Sequence, residues 1–230
     1  MPSYTQADRE RILALKNDGL GYRKIVNETG LTAYAVRSVL DDAGPVVEPG
    51  LFNAVVWDIE TTDFKADIGS LMVSSFVDLR TGLLKTRTIH DFDGGLHNQE
   101  RAVALWTAEQ LTDADVIIGH NVKAFDRNFL NGVMARHRLG LTPQRTYVDT
   151  MLIARYGLKG KMGVSMENLA DVLGLPIPKD KPSKNDWRAY IGGDPAAVER
   201  ITQRCELDVI VNVHLWLYLR DFWYAWKGER

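Results

Sequence analysis

Three features that would place a protein in a special class are scarce in this sequence. It contains a single cysteine, Cys205, so no disulfide can form within the chain, which is typical of reducing compartments. Its longest apolar stretch, residues 209–219, is interrupted by Asn212 and His214 and is too short to span a bilayer. The formal net charge is −2, so the chain has no general basic excess for coating nucleic acid. We therefore expect a cytoplasmic protein without a membrane partner.

The composition is that of an ordinary globular protein with an interruption near its N-terminus. The chain has 230 residues, 45% hydrophobic and 25% charged, which suffices for one sizeable core and a small additional module. Residues 41–50 contain two glycines and two prolines and no apolar period. Such a segment predicts a linker. The expected organisation is a module over 1–44, a linker over 45–50 and a larger domain over 51–230.

The N-terminal module shows three short helical patterns. The first follows Thr5, the second covers 22–29, and the third follows Thr32, with glycine-containing breaks between them. Short helices joined by such a turn predict a helix-turn-helix, and residues 25–37 resemble that of resolvases and sigma factors. The DNA-contacting side chains would then lie at the start of the third helix. They are Ala33, Tyr34, Arg37 and Ser38.

The alternative for this module is a packing or partner-binding unit. Residues 1–44 hold six basic and six acidic side chains, whereas phosphate contacts would favour a basic excess.

The larger domain reads first as strands and then mainly as helices. Early strands, a connecting helix, a further strand and late helices are typical of a layered α/β fold. The predicted strands cover 51–58, 71–77, 83–89 and 115–119, and the predicted helices cover 98–111, 125–138, 165–173 and 195–226.

The first chemical signal is a pair of carboxylates at the end of an apolar strand. Asp58 and Glu60 are two positions apart, so on a strand they project from the same face. Two adjacent like charges repel unless a cation lies between them, and Mg²⁺ or Mn²⁺ with oxygen ligands would serve. The alternative is a strand end whose acids simply enter solvent.

Two further acids, Asp126 and Asp208, occupy positions that indicate a functional role. Asp126 stands in the first turn of a helix that follows the strand at 116–118, where sites of open α/β sheets form. Asp208 lies close to the apolar face of the last long helix, where an acid is unfavourable unless paired or bound to metal. The alternatives are a favourable helix N-terminal acid for Asp126 and an arginine salt bridge for Asp208.

Together these motifs resemble the DEDD exonucleases, and most closely the exonuclease domains of family B polymerases. The Asp-x-Glu-Thr motif of that family is matched at 58–61, its His-Asn-x-x-x-Phe-Asp motif at 120–126, and its late Asp-Val at 208–209. The segments 147–151 and 165–170 are also similar. The resemblance covers about residues 51–220. It implies an RNase H-like exonuclease fold, preceded here by the helix-turn-helix module.

The resemblance also implies an activity, a metal requirement and a site. The activity is 3′–5′ hydrolysis of nucleic acid, with DNA favoured over RNA, releasing 5′-mononucleotides by a two-metal-ion mechanism with Mg²⁺ or Mn²⁺. The implied catalytic residues, which are also the metal ligands, are Asp58, Glu60, Asp126 and Asp208. The expected substrate contacts are Thr61, His120, Asn121, Phe125 and Arg204, whereas Asp149 is interpreted as a structural hydrogen-bond acceptor.

The match breaks at the residue that orients the attacking water. The family has a tyrosine four positions before its last aspartate or a histidine five before it, and here these positions are Arg204 and Gln203. Neither side chain is a general base. Three explanations stay open: the metal alone activates water, another residue (Tyr190, Lys184 or His214) substitutes, or the site is weakened. Arg204 could then contact a phosphate.

Two other functions fit parts of the sequence. Transposases and integrases also join a helix-turn-helix to an RNase H-like domain, but the adjacent Glu60 and the His-Asn motif argue against them. A catalytically weakened, nuclease-like DNA-binding protein is the second alternative, and the retention of all four carboxylates argues against it. Large side chains at helical spacing near the C-terminus indicate core packing, or a surface for self-association or a protein partner. They are Trp216, Leu219, Trp223 and Trp226.

Overall fold

A computed structural model of the chain describes residues 5–18, 20, 22–31, 36, 39, 53–158, 163–175 and 182–228. The chain divides into two compact units, residues 1–51 and 52–230.

The N-terminal unit contains helices α1 (Gln6–Asn17) and α2 (Tyr22–Thr29). Thr5 begins α1 with a capping box, because its hydroxyl accepts the Asp8 amide while the Asp8 carboxylate accepts the Thr5 amide at 2.8 Å. Gly30, with a φ of 67°, follows α2. The unit has its own small core of fully buried side chains, namely Ile12, Ile25, Val36 and Val39.

The expected DNA-contacting side chains of this unit, at 33, 34, 37 and 38, lie outside the described residues. The helix-turn-helix therefore stays a prediction.

The larger unit is built on a five-stranded mixed sheet with the order β3-β2-β1-β4-β5. Strands β1 and β2 pair antiparallel, as do β2 and β3, whereas β4 and β5 continue the sheet parallel to β1. The strands are β1 (Ala54–Thr61), β2 (Leu71–Asp78), β3 (Leu84–Thr88), β4 (Val116–Gly119) and β5 (Thr146–Asp149).

Helices cover both faces of this sheet, as the alternation of apolar side chains along β1 requires. Val55, Trp57 and Ile59 belong to one core and Val56 to the other. The helices are α3 (Leu96–Thr112), α4 (Asp126–Arg136), α5 (Thr150–Gly157), α6 (Met166–Val172), α7 (Lys184–Ile191) and α8 (Pro195–Gly228), with a 3₁₀ turn at Ile89–Asp91.

The last helix, α8, contributes to both cores. Ile201 and Cys205 are buried with the first core, whereas Val209 and Leu215 are buried with the second. The helix therefore passes from one core to the other between Cys205 and Val209, and Asp208 lies at this crossing. Farther along α8, Trp216 and Leu219 pack against the second core.

No helix among the described residues is both long enough and apolar enough to cross a membrane.

The layered α/β fold predicted from the sequence is confirmed, with differences at four of its elements. Strand β1 ends at Thr61 rather than at Asp58, so both acids of the first motif lie within the paired strand. Strand β5 and helices α5 and α7 were not predicted.

Candidate active site

Strand β1 and helix α8 bring three carboxylates together. Asp58 and Glu60 lie on one face of β1, and the Asp208 carboxylate reaches them from α8. One ligand oxygen from each of the three side chains lies within 4.8 Å of the others. The pairing of β1 with β2 becomes irregular between Glu60 and Thr61, directly after these acids. The Thr61 hydroxyl donates to the carbonyl of Asp63 at 2.8 Å, so this side chain is engaged with the loop that follows β1.

Asp126 is the fourth acid and the most deeply buried. It is the first residue of α4 and is 2% exposed. It lies outside the group of three oxygens within 4.8 Å, but it is near enough for its charge to raise the pKa of Asp58.

Arg204 introduces a cation into this acidic group. It stands one helical turn before Asp208 on α8. Its Nε donates to Glu60 Oε1 at 2.9 Å, and its Nη2 lies 3.5 Å from Asp208 Oδ2. The neighbouring Cys205 is buried, with its Sγ 3.6 Å from the carbonyl oxygen of Asp58, so α8 is packed closely on β1 here.

Burial raises the pKa values of all four carboxyl groups, and repulsion from neighbouring acids adds to each shift. Burial, then the charges of Asp126, Asp208 and Glu60, raises the pKa of Asp58 well above its usual range. Burial raises the pKa of Glu60 to about 7 although Arg204 opposes the shift. The pKa of Asp126 is also raised to about 7, mainly by burial and against hydrogen bonds from its own amide and that of Ile59. Burial raises the pKa of Asp208 as well.

Asp58, Glu60 and Asp208 are placed to hold a divalent metal ion. Their oxygen ligands are of the type that Mg²⁺ and Mn²⁺ prefer, and each charged carboxylate is destabilised until more positive charge is present. Arg204 alone does not supply enough positive charge to neutralise the acidic group, since the pKa of Glu60 stays raised beside it.

The loop between β4 and α4, which leads to Asp126, is held by Asp149. Asn121 has a φ of 64°, a left-handed conformation that asparagine tolerates, and its amide donates to Asp149 Oδ1 at 3.1 Å. The amides of Lys123 and Leu152 donate to the same carboxylate at 3.3 and 3.2 Å. Asp149, which is 3% exposed, therefore fixes this loop to the start of α5.

Gly119, at the end of β4, permits the close turn before this loop. A Cβ atom there would lie 2.5 Å from the Cβ of Val122 and 3.0 Å from the carbonyl oxygen of Trp57.

His120 is part of a polar network that reaches α8. Its Nδ1 lies 3.0 Å from the Thr150 hydroxyl, which donates to Asn212 Oδ1 at 2.7 Å. Asn212 is buried one turn after Asp208. Burial lowers the pKa of His120, which favours the neutral form of the ring. Sequence reasoning missed Thr150 and Asn212, because single polar residues carry no periodic signal.

Two aromatic residues stand next to the acidic motifs along the chain, Phe64 after Glu60 and Phe125 before Asp126. Phe125 precedes Asp126, packs partly against the first core and meets Phe64 edge-to-face, with 6.1 Å between ring centroids. Phe64 follows β1 in the loop that begins after Thr61 and is 88% exposed. Sequence reasoning did not single out Phe64.

The side chains considered from the sequence as substitute general bases differ in their burial and contacts. Tyr190 is fully buried and donates to the carbonyl of Met72 at 3.0 Å, so its hydroxyl is engaged in the core. This burial argues against Tyr190 as the substitute base. Gln203 and His214 are exposed, and Gln203 donates to Glu199 at 3.0 Å. The side chain of Lys184 lies outside the described residues.

Comparison with known proteins agrees with this architecture. The family model of the RNase H superfamily matches residues 55–220. Among 278 matching chains of solved structures is a family B DNA polymerase from the hyperthermophilic archaeon Pyrobaculum calidifontis. That likeness has a TM-score of 0.52 and 16% identity, and covers 74% of this chain but 25% of the polymerase. At this identity it concerns the fold alone. No curated protein sequence matches the chain.

Proposed function

We propose, from the premise that this chain belongs to the RNase H superfamily, that it is a metal-dependent exonuclease that degrades nucleic acid from its 3′ end. The observation that carries the proposal is the convergence of Asp58, Glu60 and Asp208 within 4.8 Å, with Asp126 buried beside them. The order of the carboxylate motifs along the chain, which resembles that of the DEDD exonucleases, supports the 3′–5′ direction.

In this proposal the four acids are the ligands of two divalent cations, Mg²⁺ or Mn²⁺. Asp58, Glu60 and Asp208 would hold one ion, and Asp126 would help to hold the second together with Asp58. When bound, such ions polarise the phosphodiester and activate water for hydrolysis, so that 5′-mononucleotides are released. The protein contributes partly buried surroundings that keep these carboxylates fixed and close together.

The proposed substrate contacts surround the carboxylates. Phe125, paired with the exposed Phe64, provides an aromatic edge on which a terminal base could stack. The other expected contacts are Thr61, His120, Asn121 and Arg204. DNA is the favoured substrate because the carboxylate motifs resemble most closely those of the exonuclease domains of family B polymerases. The N-terminal unit would hold longer DNA, and the single cysteine supports a cytoplasmic location.

One observation favours a second candidate, a DNA-binding protein with weak hydrolysis. Arg204 occupies the position of the family's water-orienting tyrosine and contacts Glu60 instead. A guanidinium stays protonated and cannot accept a proton from water.

The test is degradation of 5′-labelled single-stranded DNA with Mg²⁺ or Mn²⁺. We expect a ladder that shortens from the 3′ end, 5′-mononucleotide products, and no cutting of circular single-stranded DNA. Asp58→Asn and Asp208→Asn should each lower the rate of hydrolysis at least about 100-fold. This exceeds the loss of activity usual for residues that contact a metal ligand but not the metal itself. Asp171→Asn, which changes an exposed acid on α6, is the matched control. Cleavage of the circle, or full activity in Asp58→Asn, would contradict the proposal.

A further inference from the structure

The guanidinium of Arg204 lies within the acidic group rather than at its edge. It contacts Glu60 at 2.9 Å and Asp208 at 3.5 Å, and the charge of Asp58 acts on it as well. The three side chains in these contacts are largely shielded, with 26% of Arg204, 14% of Glu60 and 19% of Asp208 exposed. Two of the three carboxylates suited to a metal ion are thus already paired with an internal cation.

A metal ion and this guanidinium place opposing demands on the same carboxylates. Both are positive, and their repulsion over a few ångströms in a partly buried site is stronger than it would be in water. A divalent ion brings twice the charge, and an ion held by all three acids would share Glu60 and Asp208 with the guanidinium. Repulsion between the two cations would then weaken either the binding of the ion or the contacts of Arg204.

We propose that Arg204 is an internal cation that competes with the divalent ion for Glu60 and Asp208 and so lowers the metal affinity of the free protein. The proposal rests on the proposed function only in taking these carboxylates as the metal site. The opposing hypothesis is that Arg204 orients the two carboxylates for the ion, as partners of metal ligands often do. The two hypotheses predict opposite signs for the effect of removing the guanidinium.

The decisive measurement is Mn²⁺ binding by calorimetry or electron paramagnetic resonance, at fixed pH and without nucleic acid. Arg204→Gln should bind Mn²⁺ about tenfold more tightly than the wild type, within the usual range for coupled sites. Arg200→Gln is the matched control, because Arg200 lies one turn earlier on α8 and pairs with Asp186 at 2.6 Å instead. Its Mn²⁺ affinity should equal that of the wild type. Equal or weaker Mn²⁺ binding by Arg204→Gln would overturn the proposal.

A second variant separates the charge of Arg204 from its shape and covers the case in which Arg204→Gln does not fold. Arg204→Lys keeps the positive charge, so its Mn²⁺ affinity should stay within about threefold of the wild type. Clearly weaker binding by Arg204→Lys would mean that the guanidinium orients the ligands, and would overturn the competition. Failure of the nuclease proposal would look different: wild type and variants would bind Mn²⁺ with the expected order of affinities but hydrolyse no nucleic acid.

Discussion

The carboxylate of Asp149 accepts the backbone amide of Asn121, a residue 28 positions earlier whose φ is 64°. The same carboxylate also accepts the amides of Lys123 and Leu152. One buried acid thus holds the loop that leads to Asp126 and the first turn of α5. Together with the contact between His120 and Thr150, this side chain links the loop after β4 to the start of α5, so we expect the position of the fourth carboxylate to depend on it.

We expect Asp149→Ala to weaken both the fold and the site. Three amides would lose a charged acceptor in a buried place, which corresponds to a loss of about 3 kcal/mol in the free energy of unfolding. Urea unfolding of the metal-free protein measures this loss, and hydrolysis of short DNA should fall with it. Asp149→Asn, which keeps an acceptor oxygen, should be less destabilised than Asp149→Ala. Equal stability of wild type and Asp149→Ala would show that the loop does not depend on this residue.

The sequence predicted the acids of the site better than the elements around them. The two-residue spacing of Asp58 and Glu60 indicated a shared strand face, and the helical spacing placed Arg204 one turn before Asp208. The end of β1 was misplaced because charged residues weaken a strand pattern, although β2 pairs with β1 as far as Thr61.

Strand β5 and the contacts of Arg204 could not be predicted from the sequence, each for its own reason. Strand β5 has four residues, of which only Tyr147 and Val148 are hydrophobic, so it lacks the apolar run that marked β4. The partner of Arg204 is decided by tertiary packing, because Glu60 lies 144 positions earlier in the chain. Among many acids, nothing local marks Glu60 as the one that Arg204 meets.

The raised pKa values of the site predict how metal stabilisation depends on pH. Glu60 and Asp126 have pKa values of about 7 in the folded protein, above their values of about 4 in the unfolded chain. The folded state therefore binds more protons, and this contribution to stability is full below about pH 4 and is lost as the pH rises through about 7. Mn²⁺ requires deprotonated ligands, so it should raise the Tm more at pH 8 than at pH 5.

Thermal unfolding with Mn²⁺ or with a chelator at both pH values checks this expectation. Asp58→Asn should remove most of the Mn²⁺ effect at pH 8, whereas Asp171→Asn should keep it. An equal rise in Tm at pH 5 and pH 8 would contradict the assignment of these carboxylates as the metal ligands.

The N-terminal unit should be separable from the rest of the chain. Its core consists of its own side chains, including Ile12 and Ile25, and the chain divides into compact units at residue 51. We expect deletion of residues 1–44 to leave the Tm of the larger unit and the hydrolysis of short oligomers unchanged. Binding of long duplex DNA should weaken, as a mobility-shift titration would show. An unfolded truncation product, or unchanged binding of long DNA, would contradict the separate role of this unit.

Arg204 should affect the rate of hydrolysis in opposite directions at low and high metal concentration. Once displaced from Glu60 and Asp208, its guanidinium lies one helical turn from Asp208, where a phosphodiester offers it a new charged partner. At low Mn²⁺, Arg204→Gln should be faster than the wild type, because more of the protein carries the ion. At saturating Mn²⁺ it should be about tenfold slower in single turnover, since a charge-assisted contact to the phosphate is lost. The two curves of rate against Mn²⁺ concentration should therefore cross. A variant that is slower at every concentration would argue against competition for the metal, and one that is never slower would argue against the phosphate contact.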